Sequence, residues 1–261
     1  MFLFIAVPEP VAFYPLNANF KAEEKENRQP EGKLGDVSIT NGPYNEPGGA
    51  YMFYGTKSSY IEFPHIRAGL DTQNSFTLMC WVQPGGQDGP ILGDDIFGGR
   101  LGMWIDYGKF FTGLIRSLPL SGISTAEVLP TGTWVHVAVS YHHNTGYNLL
   151  FVKGRLRASQ YIGSGYINPI LGWRMRMGST RYGSDYFKGK IAEMKVFDVA
   201  LNEAQIQTSI RQGSYTFPII VVSLPSPLIP LVIETLVKYW RASQEVADIR
   251  FWIRFRKTTS R

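Results

Sequence analysis

Thr133–Leu156 reads TWVHVAVSYHHNTGYNLLFVKGRL. Val135, Val137, Val139 and Tyr141 alternate along one face of an extended segment, Asn144-Thr145-Gly146 supplies a turn, and Leu149, Phe151 and Lys153 continue after it. Lys153-Gly154 then reverses the chain again. Three antiparallel strands joined by short turns leave an apolar face to bury, and a second sheet packed on the first covers it. The stretch predicts a sheet-on-sheet sandwich.

The rest of the 261 residues fits that reading. Glycine (27), proline (16), tyrosine (14) and phenylalanine (16) are plentiful and charged residues make up only 18%, a balance that suits short strands and turns rather than a helical bundle. Strands are expected at 11–14, 50–54, 60–63, 75–83, 90–97, 101–107, 109–115, 172–178 and 187–197, with 50–54 and 60–63 forming a hairpin. In the last strand Ile191, Glu193, Lys195 and Phe197 oppose Ala192, Met194 and Val196. Asn202 caps a short helix over 203–210, with Gln205 as its capping-box partner. Between the first two strands KAEEKENRQPEGK, residues 21–33, has no apolar period, and its charges are expected to face water. The fold class is all-β, a two-sheet antiparallel jelly-roll sandwich with one short C-terminal helix, over residues 10–211.

Cys80, the single cysteine, lies in FTLMCWV, where Phe76, Leu78, Cys80 and Val82 share a face. No intramolecular disulfide can form, and the thiol reads as core packing. Residues 212–261 differ in kind. A Pro-interrupted apolar run, broken at Pro218, Pro225, Pro227 and Pro230, is followed by a basic, aromatic end, IRFWIRFRK. The tail holds seven Lys/Arg against three acidic residues, most of the chain's net charge of +5. It reads as disordered or membrane-associated. The preceding residues are nearly neutral and carry no nucleic-acid reading motif, so nucleic acid is not an expected partner. MFLFIAVPEP lacks a basic n-region and makes a poor signal peptide.

The strands resemble, in order, the laminin-G-like, concanavalin-A-like jelly roll grouped with pentraxin-related modules of animal extracellular proteins. The matching pieces are Val11 to Leu16, Ser59 to Phe63, Ser75 to Val82, Trp134 to Ala138, Leu150 to Gly154 and Gly189 to Phe197 followed by Ala200 to Glu203. The resemblance implies an extracellular recognition or adhesion module that takes glycan or protein and in some members calcium. Where the family often has acidic residues, this chain has Tyr54, Lys153 and Ala192, which weakens an inherited calcium site.

Among residues that carry chemistry, Asp94 and Asp95 in GDDIFGG, with Asp106, are the candidate calcium ligands, although aspartate also favours turns for local reasons. His142 and His143 are adjacent on an extended segment and point to opposite faces, so they do not converge on one ion. Trp104, Tyr107, Tyr166, Trp173, Tyr182 and Tyr186 lie on or beside loops and are the candidate ligand-binding residues. An exposed ring stacks on the C–H face of a sugar while polar neighbours bond its hydroxyls. No Glu-x-Asp-x-x-Glu run, Gly-x-Ser-x-Gly elbow or phosphate loop occurs, so a glycoside hydrolase is less favoured than a non-catalytic module. A structural module binding only protein is the alternative to glycan recognition.

Overall fold

The computed structural model describes residues 6–63, 74–96, 99–114, 121–165, 175–180 and 185–212. The chain divides at residue 212. Residues 213–261, with the proline-broken run and the basic end, lie outside the described residues. Among those described, no helix is long and apolar enough to cross a membrane.

In chain order the first strands are β1 (Ala12–Tyr14), β2 (Lys33–Leu34), β3 (Val37–Thr40), β4 (Ala50–Tyr54), β5 (Ile61–Phe63), β6 (Phe76–Gln87), β7 (Gly89–Ile96) and β8 (Gly99–Asp106). There follow β9 (Lys109–Leu114), β10 (Ser121–Val128), β11 (Val135–His142), β12 (Tyr147–Val152), β13 (Arg155–Tyr161), β14 (Met175–Met177), β15 (Lys188–Phe197) and the helix α1 (Glu203–Gln212). One sheet runs β13-β12-β11-β6-β15-β4-β3, with β1 added against β15, and the other runs β10-β9-β8-β7-β14-β5-β2. The all-β antiparallel sandwich with one C-terminal helix is the observed architecture.

Val135, Val137, Val139 and Tyr141 of β11 face the core beside Leu78, Cys80 and Val82 of β6, and meet Ile91, Met103, Ile105 and Phe110 from the other sheet. Each such side chain, fully buried, contributes about 1.5–3 kcal/mol. Cys80 is completely buried and burial pushes its thiol pKa up, as befits a packing residue.

Four local expectations change. The register pairs Val139 with Leu150 and Val137 with Val152, so Leu150 and Val152 face this core, and Leu149 and Phe151 point to the opposite face. On β15 a bulge between Ala192 and Lys195, with Glu193 at φ 54, shifts the alternation by one. Met194 and Val196 therefore join Ile191 in the core, and Lys195 and Phe197 turn outward. β4 and β5 are not a hairpin, because they belong to different sheets. Phe53 and Phe63 enter one core from opposite sides, and the Gly55–Ser59 connection crosses between the sheets. Lastly, Glu24 does not face water: its carboxylate is buried and accepts N–H bonds from Phe13 (3.0 Å), Glu26 (3.1 Å) and Arg28 (2.8 Å). A loop with no ladder of its own needs such an acceptor for its buried N–H groups.

The outward face of the eight-stranded sheet is partly covered by α1. Leu201 and Ile206 pack on Met79, Ala138, Phe151 and Phe197. The predicted capping box is present: the Gln205 N–H donates to Asn202 Oδ1 and the Asn202 N–H to Gln205 Oε1, each at 3.0 Å. On the seven-stranded sheet, Gly122, Gly113, Gly102 and Gly93 stand opposite one another across β10, β9, β8 and β7, and the row continues to Arg176, Glu62 and Lys33. A Cβ at Gly122 would lie 2.7 Å from the Phe111 ring, so that ring lies against the glycine as an aromatic does across a side-chain-free strand position.

Candidate ligand-binding site

The long strand β6 ends in FTLMCWVQPGGQ, and its last residues gather the loops at one end of the sandwich. The Gln87 side-chain amide donates to the carbonyls of Gly55 (3.0 Å) and Tyr186 (2.6 Å). The Asp88 carboxylate accepts the Gly108 N–H through both oxygens, at 3.2 and 3.1 Å. Gln83 donates to the Gly132 carbonyl, and the Gly132 N–H returns to Pro84. Segments after β4, β8 and β10, and the entry to β15, thus share one rim.

Between β8 and β9 the turn is Tyr107-Gly108, with φ 50 and φ 69. Two positive φ values are what a two-residue hairpin requires, and Asn-Gly or Gly-Gly is the favoured pair. A Cβ at Gly108 would lie 2.8 Å from Val128 Cγ1, which fixes glycine there. Tyrosine at the first position is costly, because an L-residue in the left-handed region loses roughly 1–2 kcal/mol. Tyr107 is also 85% exposed, so packing does not offset that cost.

The other nominated residues fall differently. Tyr186 is half-buried on the rim, its carbonyl held by Gln87. Trp104 is only 2% exposed in mid-β8, opposite Phe111, so it belongs to packing rather than to a loop edge. Tyr166, Trp173 and Tyr182 lie outside the described residues. Asp94 and Asp95 are consecutive on β7, opposite Leu101 and Arg100, whereas Asp106 is opposite Lys109 at the far end of β8. Five residues of strand separate Leu101 from Asp106, about 17 Å. One calcium ion cannot draw ligands from both places, so the three aspartates do not form one site.

Sequence reasoning missed Tyr54, Gln87, Asp88 and Lys188. Lys188 is in register with Tyr54 on one side and Gln87 on the other, which puts the half-exposed Tyr54 on the same rim. The Tyr54 hydroxyl bonds the Ser38 hydroxyl at 2.6 Å. No periodicity marks these residues; only the cross-strand register joins them. His142 ends β11 and His143 opens the turn, both half-buried, and the Thr145 N–H donates to His142 Nδ1 at 3.4 Å. On the seven-stranded sheet Arg176 bonds Glu62 through Nε (2.7 Å) and Nη2 (2.6 Å) while lying 4.0 Å over the Tyr60 ring, a pair already satisfied within the fold.

Residues 55–207, more than half of the chain, match the sequence profile of the concanavalin A-like lectin/glucanases superfamily. The chain belongs to this superfamily. The resemblance read from the six strand segments is therefore borne out. No curated protein sequence matches the chain. Among solved structures, the superfamily fold here is similar to domain 4 of AbnA, an extracellular arabinanase from Geobacillus stearothermophilus, in complex with arabinotriose. That match has TM-score 0.58 and 19% identity, over 78% of this chain and 98% of that one. The binding domain of Paraclostridial mosquitocidal protein 1 aligns with TM-score 0.62 and 12% identity, over 82% of this chain and 54% of that one. The botulinum neurotoxin serotype D ligand-binding domain, in complex with N-acetylneuraminic acid, aligns with TM-score 0.59 and 13% identity, over 78% and 51%. At these identities the likeness is one of fold. The chain spans nearly all of the first structure and about half of the other two.

Proposed function

We propose that this chain is a non-catalytic extracellular module that binds carbohydrate at the rim gathered by Gln87 and Asp88. Tyr107 is the observation that carries the reading. The hairpin sets the φ of this position, but it does not call for a large ring there, and a tyrosine turned 85% into solvent serves no packing purpose. Tyr54 offers a second exposed ring and a hydroxyl on the same rim, and Lys188 a charged donor between Tyr54 and Gln87. Stacking on a ring with hydrogen bonding beside it is the chemistry that holds a sugar.

Membership of a superfamily of lectins and glucanases supports this reading, as do saccharide complexes of two domains with the same fold. The arabinanase is described as extracellular, in keeping with the extracellular placement. In keeping with a non-catalytic role, the buried carboxylates of Glu24 and Glu62 are already engaged within the fold, by backbone N–H groups and by Arg176. The test is a glycan array probed with the full chain and with Tyr107→Ala. Binding that weakens about tenfold or more in the variant is expected, the scale of one lost stacking contact. A folded chain that binds no glycan, or a variant that binds as the parent does, overturns the reading.

A further inference from the structure

The rim continues onto the outward face of β4, β15 and β6, and its charge there is one-sided. Lys188 and Lys190 are two residues apart on β15 and share that face, since Gly189 between them is paired with the core residue Phe53. Their cross-strand neighbours are all uncharged: Tyr54 and Gln87 flank Lys188, and Met52 and Gln83 flank Lys190. Ser38, opposite Met52, extends the second row and bonds Tyr54. Lys188 is exposed and Lys190 half-buried, and neither forms an ion pair among the described residues.

Four of the arginines are treated otherwise. Arg28 is tied to Glu24, Arg155 to Glu203, Arg157 to Glu127 and Arg176 to Glu62. On the rim the Asp88 carboxylate is taken up by the Gly108 N–H, and Asp106 is likewise engaged within the protein. Two neighbouring ammonium groups repel each other, and among the described residues no carboxylate stands within ion-pair distance of either. An exposed tyrosine and its bonded serine hydroxyl stand beside them.

We infer that the saccharide bound at this rim is acidic, carrying a carboxylate or sulfate that sits between the Lys188 and Lys190 ammonium groups while a ring of the sugar stacks on Tyr54. The inference rests on the carbohydrate reading above and adds the chemical class. Charge complementarity selects the occupant: a neutral sugar would leave both ammonium groups uncompensated, while an anionic one receives two charge-assisted bonds.

The test uses the full chain and its Lys188→Gln/Lys190→Gln double variant on an array that carries uronate-, sialate- and sulfate-bearing glycans beside their neutral counterparts. Each is read at low salt and at 0.5 M NaCl, roughly the range over which exposed charge pairs become screened. Expected are acidic hits, stronger than their neutral counterparts by about tenfold or more, that fall in salt and in the double variant. The sign of charge preferred distinguishes this inference from its parent. Neutral glycans bound with the same affinity in the double variant would overturn the acidic assignment and leave carbohydrate recognition standing. A folded protein that binds no glycan would overturn both. Capture of phosphatidylserine vesicles with no acidic-glycan hit would also overturn it, in favour of a membrane surface. Unchanged melting of the double variant would show that lost binding is not lost folding.

Discussion

Strand β15 carries lysines on both sides of its bulge, and they meet opposite fates. Beyond the bulge, Lys195 is buried, donates from Nζ to the Ser209 carbonyl of α1 at 3.2 Å, and lies 5.3 Å over the Phe13 ring. Burial pushes its pKa down, Glu193 partly opposes that, and Lys25 adds to it. Before the bulge, Lys188 and Lys190 have uncharged cross-strand neighbours and no ion pair among the described residues. Residue type and strand are the same. What differs is cover: α1 closes over Met79, Ala138, Phe151 and Phe197 and stops short of the half that leads to the rim. One half of the face is spent on stability, and the other is the half on which the proposed ligand would sit.

The sharpest way to break that contrast is to truncate on the covered half. Phe151→Ala is expected to cost about 3–5 kcal/mol in urea denaturation, through lost burial and the cavity left under the helix. Tyr54→Ala on the open half should stay within about 0.5 kcal/mol. Equal costs would mean that the open half is structural too.

Acid probes the boundary between the halves. His136 is buried beside Trp81, ring centroids 5.3 Å apart, and burial first, then the Lys195 ammonium, lowers its pKa to about 3. The unfolded chain takes up this proton near its ordinary value of about 6.5, before the folded chain does. Stability contributed by the neutral imidazole is therefore complete above that pH. It falls by about 1.4 kcal/mol per unit as pH drops from about 6.5 towards 3. His136→Gln should flatten this part of the pH–stability curve; an unaltered slope would place the acid sensitivity elsewhere.

A smaller effect is expected at the helix start. Asn202→Ala removes the Oδ1 acceptor of the Gln205 N–H and should cost about 1 kcal/mol, read as a lower melting temperature. No change would mean that packing alone holds α1 on the covered half.

The sandwich was legible because alternation in Val135–Tyr141 and Phe76–Val82 is a direct imprint of one buried face, and Asn202 with Gln205 is a local signal that needs no tertiary knowledge. What misled were long-range facts. The outward turn of Phe151 follows from the β11–β12 register, and the bulge at Glu193 shifts the last strand by one residue. Neither leaves a mark in composition. The separation of β4 from β5 was invisible for the same reason, since a glycine-containing loop joins strands of one sheet or of two. At the candidate site, Tyr107 was legible as an aromatic beside a turn glycine. Trp104 looked equivalent until its strand was placed in the sheet, and Gln87, Asp88 and Lys188 emerge only when three strand ends are brought together.

The line Gly122–Gly113–Gly102–Gly93 has a mechanical meaning. Elsewhere in the seven-stranded sheet, side chains standing side by side prop neighbouring strands and resist curvature. Along this line the strands carry no side chains of their own, only the Phe111 ring leans across it over Gly122, and glycine positions are where sheets are able to bend. The row is a crease running across four strands, perpendicular to the chain, and it makes the seven-stranded layer the pliable wall of the sandwich against the stiffer, helix-backed one.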